Sequence, residues 1–173
     1  MKNILGLMAQ YNRTVNKQLF DILENCDVSI LSDETGSYFD SIIGLLNHIL
    51  VSNLGWLTAY RDSDLDLPSL NTPTLNYEHP GWKGILHDDL KDLRDHFLDV
   101  DSLFIEFIEE TGEEVLQGDI TVTRSNGKSH TFPFGKVVMH LFNHQTHHRG
   151  AISQILDEKA IENDYSNLMR MFM

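Results

Sequence analysis

Cysteine is scarce in this sequence of 173 residues, because Cys26 is the only one. A single thiol forms no internal disulfide, and no Cys-x-x-Cys pair exists that would indicate a structural zinc site or a redox motif. The residue is expected to be either a small buried apolar side chain or a reactive thiol. This cysteine usage fits a reducing compartment, so the sequence predicts a cytoplasmic protein.

Positive charge is also scarce. Lys and Arg together number 13 against 26 Asp and Glu, and the formal net charge is −13. A chain this acidic repels phosphate backbones and anionic membrane surfaces, and no run rich in Lys or Arg offsets that repulsion locally. We therefore expect neither nucleic acid nor a membrane surface among its partners.

Long hydrophobic runs are absent too. No stretch of about 18 apolar residues exists, so no transmembrane helix is expected. The N-terminal segment MKNILGLMAQYNR turns polar at Gln10 and has no small-residue cleavage site, so no signal peptide is expected either. With 41% hydrophobic and 23% charged residues, the composition is that of a soluble globular protein, and residues 1–173 are expected to form a single domain.

Apolar residues recur at steps of three and four in four segments, which predicts four long helices. These segments cover residues 4–24, 38–62, 85 to about 110, and about 134–157. The connection over residues 63–84 holds three of the four prolines, and bundle loops of this length are often functional.

A short segment before the last helix breaks this helical period. Ile120 and Val122 alternate with threonines, and Asn126-Gly127 favours a type I′ turn, so residues 119–132 are predicted to form a β-hairpin. Pro133 suits the first turn of the helix that follows. The predicted fold is therefore all-α: a single-domain four-helix bundle with a small β-hairpin insertion before the last long helix.

The segment HLFNHQTHHRG, residues 140–150, concentrates four histidines in the last helix. His144 and His148 are four residues apart and share one helix face. They fill the apolar stripe between Leu141 and Ile152, whereas His140 and His147 lie at its two edges. Two imidazoles on an apolar inner face need polar partners, which either a metal ion or hydrogen bonds in the core would supply.

The second predicted helix offers a third histidine, His48. It stands in a row of small and polar residues, which are Ser41, Gly44, Ser52 and Gly55. Such a row leaves a cavity around His48 or allows two helices to pack closely. Three protein ligands with open positions are the common arrangement of catalytic metal sites, so His48, His144 and His148 form a candidate metal site.

Several other active sites are excluded by the sequence. Gln145 occupies the position of the glutamate in the H-E-x-x-H protease motif, and an amide cannot accept a proton from water. No G-x-S-x-G motif, phosphate-binding loop or dinucleotide fingerprint is present. The remaining histidines are expected to be solvated at the surface, with His79 or His130 at most at the edge of a cleft; they are His79, His87, His96 and His130.

The histidine segment also resembles a known family. HLFNHQTHHRG, the motif Tyr11-Asn12-Arg13 and the segment LNHILVSNLGWL around His48 are similar to the DinB-like family of metalloenzymes, also called DinB/YfiT-like. The likeness extends over nearly the whole chain. Two departures occur: Ala151 follows Gly150 where the family motif usually continues with Gln, and Asn53 stands where the family often has an acidic residue.

The resemblance implies a four-helix bundle, commonly a homodimer, in which His48, His144 and His148 hold a divalent metal ion, zinc or nickel. Characterised members include enzymes that use low-molecular-weight thiols such as bacillithiol or mycothiol. The expected function is therefore a metal-dependent enzyme acting on a small-molecule substrate, either a thiol-dependent S-transferase or a metal-assisted hydrolase. Arg149 is a candidate anion anchor beside the site; the alternative for Arg149 is a surface ion pair.

Two other functions stay open at this point. One is a metal-binding or stress-response bundle without enzymatic activity, which would pair its histidines only with protein groups or close the site to solvent. The other is a DNA-related role suggested by the family's name, against which the acidic charge balance argues.

Overall fold

The structure is a computed structural model that describes residues 1–36, 38–123 and 127–172. Four long helices dominate it: α1 (Lys2–Leu23), α3 (Ile42–Arg61), α4 (Leu90–Glu110) and α6 (Phe134–Glu158). Two short helices, α2 (Val28–Ser32) and α5 (Glu113–Gln117), lie in the connections. Three short 3₁₀-helices complete the helical elements of the described residues, at Pro68–Leu70, Pro73–Leu75 and Leu168–Phe172.

The long helices form a four-helix bundle. Helix α1 packs against α4 and α6, and α3 packs against the same two helices, so α1 and α3 occupy opposite corners. Aromatic pairs fill the core between them, including Phe20 with Phe97 at 5.4 Å between ring centroids and Phe104 with Phe142 at 5.5 Å. The prediction of a mostly helical bundle is confirmed.

Helix α3 is the most apolar of these helices. Its length and its mean hydropathy of 1.4 would by themselves suit a membrane span, but 67% of that stretch is buried inside the bundle. Burial of this kind is typical of the core helix of a soluble protein, because the apolar surface is already covered by α4 and α6.

Two helices begin later than the sequence pattern predicts, and a capping residue explains each difference. Helix α3 starts at Ile42 rather than at residue 38 because the Ser41 hydroxyl accepts a hydrogen bond from the Gly44 amide at 3.1 Å. Helix α4 starts at Leu90 rather than at residue 85 because the Asp89 carboxylate accepts hydrogen bonds from the amides of residues 91 and 92. Residues 38–40 and 85–89 are therefore connecting segments, free to reach neighbouring elements.

The long connection between α3 and α4 is held by buried polar contacts. Asn47 is fully buried, and its side-chain oxygen accepts hydrogen bonds from the amides of Leu86 and His87 at 2.8 and 3.0 Å. His87 Nε2 lies 2.8 Å from His96 Nδ1, and His96 Nε2 lies 3.0 Å from the Thr74 carbonyl oxygen. The prediction of solvated surface histidines is wrong for His87 and His96, which are half-buried and link this connection to α4.

The β-hairpin is confirmed as strands β1 (Asp119–Thr123) and β2 (Ser129–Pro133), which pair antiparallel with Thr121 opposite Thr131. Ile120 and Val122 are buried, as their alternation with threonine predicts. Of the predicted Asn126-Gly127 turn, Asn126 lies outside the described residues, and Gly127 has a φ of +75°. The hairpin packs against α3 and α6.

Cys26 follows α1 and is half-buried. Its thiol donates a hydrogen bond to the Ile22 carbonyl oxygen at 3.4 Å, and burial raises the pKa of the thiol. A raised pKa lowers the thiolate fraction, so the structure favours the small buried side chain over the reactive thiol.

Candidate metal centre

Three imidazoles from two neighbouring helices meet at one point. His48 is supplied by α3, and His144 and His148 are supplied by successive turns of α6. His144 Nε2 lies 3.1 Å from His48 Nε2 and 3.0 Å from His148 Nε2. One nitrogen of each ring lies within 4.8 Å of the other two, and no carboxylate or thiol of the described residues joins the cluster.

This donor set fits a divalent cation. A neutral imidazole has one N–H and one lone pair, so three Nε2 atoms at one point cannot all be satisfied by hydrogen bonds to one another. A cation at their meeting point would accept all three lone pairs. Two nitrogen ligands of a tetrahedral zinc ion lie about 3.3 Å apart, given bonds of 2.0–2.1 Å, close to the separations of 3.0 and 3.1 Å found here.

The protonation states of the three imidazoles also suit a metal. Burial, reinforced by the neighbouring histidines, lowers the pKa of His148 to about 3 and that of His144 to about 4. Burial also lowers the pKa of His48, an effect that the Trp82 backbone partly opposes. All three side chains are therefore neutral at pH 7, which is the form that ligates a metal.

An aromatic ring covers part of the cluster. Phe39, from the segment before α3, stacks on the His48 ring with 3.9 Å between centroids and meets the His148 ring edge-on at 5.4 Å. Helical periodicity placed Phe39 inside a predicted helix, so this contact could not be foreseen. The ring restricts access from one side, while His48 and His144 keep partly exposed surfaces.

The other histidines of α6 stay outside the cluster. His140 and His147 are exposed, although the His147 ring lies 4.9 Å from that of His148. His130 is also exposed, and His79 lies at the edge of a cleft, as the sequence allowed. The structure thus brings together His48, His144 and His148, and their role as metal ligands stays a prediction.

The inward face of α6 differs from the predicted stripe. Gln145 is fully buried at its centre and Arg149 is 3% exposed, whereas His144 lies at the edge of this face. Arg149 is therefore not part of a surface ion pair. Its Nη1 donates hydrogen bonds to Asn12 Oδ1 at 2.6 Å and Asn16 Oδ1 at 3.0 Å. These bonds turn the guanidinium toward α1, and its role as an anion anchor stays a prediction.

A buried polar network surrounds this arginine. Asn16 Nδ2 donates to Asp101 Oδ2 at 2.8 Å and to Gln145 Oε1 at 3.0 Å, and Asn16 thereby joins α1, α4 and α6. Neither Asn16 nor Asp101 was predicted from the sequence to be functional. A signal existed, because Asp101 falls four residues after Phe97 and three before Phe104, on the apolar seam of α4.

Asp101 gives the network a pH dependence. Burial raises the pKa of this fully buried carboxyl to about 7, against opposing contributions from Asn16 and Arg149. Because its pKa is higher in the folded state than in the unfolded state, the folded protein binds the extra proton between about pH 4 and pH 7. The contribution of Asp101 to stability is then largest below pH 4 and is lost as the pH rises to 7, at up to roughly 1.4 kcal/mol per pH unit.

We expect Asp101→Asn to remove this dependence. Urea denaturation at several pH values should show the free energy of unfolding of the wild type falling, relative to the variant, as the pH rises from 4 to 7. Asp99→Asn, on the exposed side of the same helix, is the control and should follow the wild type. A difference between wild type and Asp101→Asn that stays constant with pH would contradict the raised pKa.

A four-helix bundle with three histidines converging between two of its helices defines a candidate metalloprotein. Comparison with known proteins agrees: the chain belongs to the DinB family, whose model matches residues 1–159. It is also similar to Protein DinB of Bacillus subtilis (strain 168), with 24% identity over 156 residues that cover 90% of this chain and 86% of that relative. No solved structure matches the chain.

The family match ends before the C-terminal tail. The tail nevertheless contacts the bundle, since the Tyr11 hydroxyl donates to the Ser166 carbonyl oxygen at 2.6 Å and the Tyr165 hydroxyl donates to the Arg149 carbonyl oxygen at 3.1 Å. That residues 1–173 form a single domain stays a prediction.

Proposed function

We propose that the protein is a metal-dependent enzyme in which His48, His144 and His148 hold one divalent ion, zinc or nickel. The observation that carries the proposal is the convergence of three neutral imidazoles at Nε2 separations of 3.0 and 3.1 Å. Imidazole suits both metals. Three protein ligands leave positions open for a substrate, as in catalytic zinc sites.

The chemistry that such an ion supplies is Lewis acidity, which lowers the pKa of a thiol or water that reaches it. The cluster of described residues contains no carboxylate, so a general base for activating water is missing from it. A thiol is already partly ionised at neutral pH and is a strong nucleophile without such a base. Thiol-dependent transfer is for this reason favoured over metal-assisted hydrolysis.

The partners in this proposal are a small-molecule substrate and a low-molecular-weight thiol. The net charge of −13 supports a protein that acts on neither nucleic acid nor membranes. A homodimer and a cytoplasmic location complete the proposal; they rest on the family resemblance and on the single cysteine.

A second function is favoured by one observation. The Phe39 ring covers the His48 imidazole at 3.9 Å, and a covered ion would serve stability or metal binding rather than turnover. This alternative is a metal-binding or stress-response bundle without enzymatic activity.

An activity assay separates the two functions. Zinc- or nickel-loaded protein is expected to accelerate the conjugation of 1-chloro-2,4-dinitrobenzene with bacillithiol, mycothiol or cysteine at least tenfold over the metal-free protein. His144→Ala should abolish the acceleration, and His147→Ala, an exposed histidine of the same helix, should retain it. If the loaded wild type binds metal but is no faster than His144→Ala with any of the thiols, the non-enzymatic alternative is favoured.

A further inference from the structure

A cleft of about 590 Å³ opens between α3, the connection that follows it and strand β1. Its lining includes aromatic side chains from two elements, which are Trp56 of α3 and Tyr77, His79 and Trp82 of the connection. Val122 and Thr123 of β1 complete this part of the lining. A cleft of this size is within the range that binds small molecules.

The cleft begins next to the histidine cluster. His48, Ser52, Gly55 and Asp62 lie on one face of α3, at steps of four, three and seven residues, and one helical turn of about 6 Å separates His48 from Ser52. The Trp82 backbone lies beside the His48 imidazole. A molecule in the cleft can therefore extend to the imidazoles.

The floor of the cleft is made of small side chains. A Cβ atom at Gly55 would meet only the Tyr77 hydroxyl, at 3.7 Å, which is ordinary van der Waals contact. By contrast, a Cβ atom at Gly44 would collide with the Phe39 carbonyl oxygen. Backbone packing thus requires glycine at position 44 but not at position 55, where its absent side chain leaves space in the cleft.

Ser52 provides a polar group on this floor. The residue is 7% exposed and lines the cleft, yet its hydroxyl makes no hydrogen bond to any residue that the structure describes. Its oxygen is not fully enclosed, so the hydroxyl is accessible from the cleft that the residue lines. An unpaired hydroxyl facing a cleft is consequently suited to a hydrogen bond with a ligand.

The charge of the lining restricts the ligand further. Asp62 is the one charged side chain among the described lining residues, which include no lysine and no arginine. Asp62 is paired with Arg61 at 2.8 Å, but its side chain is 60% exposed. Aromatic faces attract flat rings and cations, whereas an anion here would meet the Asp62 carboxylate and no lysine or arginine, with the His79 imidazole as the one other titratable side chain of the described lining apart from Tyr77.

We propose that this cleft binds an aromatic group that carries no negative charge, as the part of the substrate that sets specificity. The Ser52 hydroxyl hydrogen-bonds this group, and Trp56, Tyr77 and Trp82 contact its ring. The link between the cleft and the histidines rests on the proposed function. Binding of the aromatic group does not rest on the proposed function, because the walls, the floor and the hydroxyl of the cleft are formed by residues other than His48, His144 and His148.

A matched set of ligands tests the proposal on the metal-free protein. The two tryptophans of the chain, Trp56 and Trp82, both line the cleft, so intrinsic fluorescence reports its occupancy. Benzyl alcohol and benzylamine are expected to bind with saturation, and benzoate at least tenfold more weakly. Equal binding of benzoate, or no saturable binding of any of the three, would overturn the proposal.

A variant that fills the cleft provides the second criterion. Gly55→Leu is expected to weaken benzyl alcohol and benzylamine at least tenfold, whereas Tyr38→Ala, an aromatic residue 70% exposed and outside the lining, should bind like the wild type. If Gly55→Leu fails to fold, Trp82→Ala on the exposed connection takes its place, with Trp56 as the fluorophore. Unchanged affinity in a folded variant would contradict the assigned site.

The link to the histidines is tested separately. Zinc-loaded protein should bind benzohydroxamate at least tenfold more tightly than acetohydroxamate, and Gly55→Leu should abolish this preference without weakening acetohydroxamate. If the cleft binds benzyl alcohol but the zinc-loaded protein binds benzohydroxamate no more tightly than acetohydroxamate, the link between the cleft and the histidines is refuted. A wild type that binds no metal would refute the proposed function, and the benzyl ligands would still decide whether the cleft is a binding site.

Discussion

Replacing His144 with alanine is expected to lower the affinity for zinc by more than about 100-fold. Loss of a residue that only orients a ligand already costs 10–100-fold, and this change removes one of the three proposed ligands. His144 Nε2 is also the atom that lies within 3.1 Å of both other Nε2 atoms, so it occupies the middle of the cluster. Metal analysis and calorimetric titration of protein without a histidine tag measure the effect.

Two variants of the same helix serve as controls. His140→Ala and His147→Ala remove exposed imidazoles and should keep the affinity of the wild type. Zinc at 100 times its dissociation constant should stabilise the wild type by about 2.7 kcal/mol and leave the unfolding of His144→Ala nearly unchanged. A wild type that binds no more zinc than His144→Ala would rule out the three-histidine metal site.

The second large effect is expected in the buried polar network. Arg149→Met should destabilise the fold by about 2–6 kcal/mol, because a buried acceptor that loses its hydrogen-bond donor costs about 1–3 kcal/mol and two such acceptors are affected. The variant leaves the side-chain oxygens of Asn12 and Asn16 without their donor. It also leaves the Asp101 carboxyl without the cation that lowers its pKa.

Urea denaturation measures this loss, and the chain offers a matched control. Arg170→Met removes an arginine that is 50% exposed and pairs with Asp164 at the surface, so it should change the stability by at most about 1 kcal/mol. The double variant Arg149→Met/Asp101→Asn should recover part of the loss at pH 7, because an amide, unlike the buried Asp101 carboxyl, takes up no proton to stay neutral in the core. An Arg149→Met variant within about 1 kcal/mol of the wild type would show that the network contributes little to stability.

The bundle and two thirds of the histidine cluster could be predicted because their signals are local. Helix periodicity depends on residues three and four apart, and it placed His144 and His148 on one face of one helix. The row from Ser41 to Gly55 indicated a cavity beside His48, and a cleft lies there. At Gly44, however, the small residue allows close packing against the Phe39 backbone. The row of small residues on α3 therefore reflects close packing at Gly44 and the cleft at Gly55.

What could not be predicted depends on contacts between distant parts of the chain. The Phe39 ring that stacks on His48 lies in a connecting segment, because the Ser41 cap starts α3 at Ile42. His87 contacts His96 across the connection that Asn47 holds through the amides of Leu86 and His87. Arg149 looked like a surface or site residue because its partners, Asn12 and Asn16, lie more than a hundred residues away.

The sequence by itself determined the four long helices to within a few residues, the hairpin, the acidic net charge and the shared helix face of His144 and His148, because each follows from neighbouring residues and from composition. Only the tertiary structure decided that three Nε2 atoms meet, that Gln145 and Arg149 face a polar network, and that two tryptophans wall a cleft beside His48. These features arise where separate elements pack together. Their geometry is set by which helices are neighbours and how the long connection folds back, and no local pattern encodes that distance information.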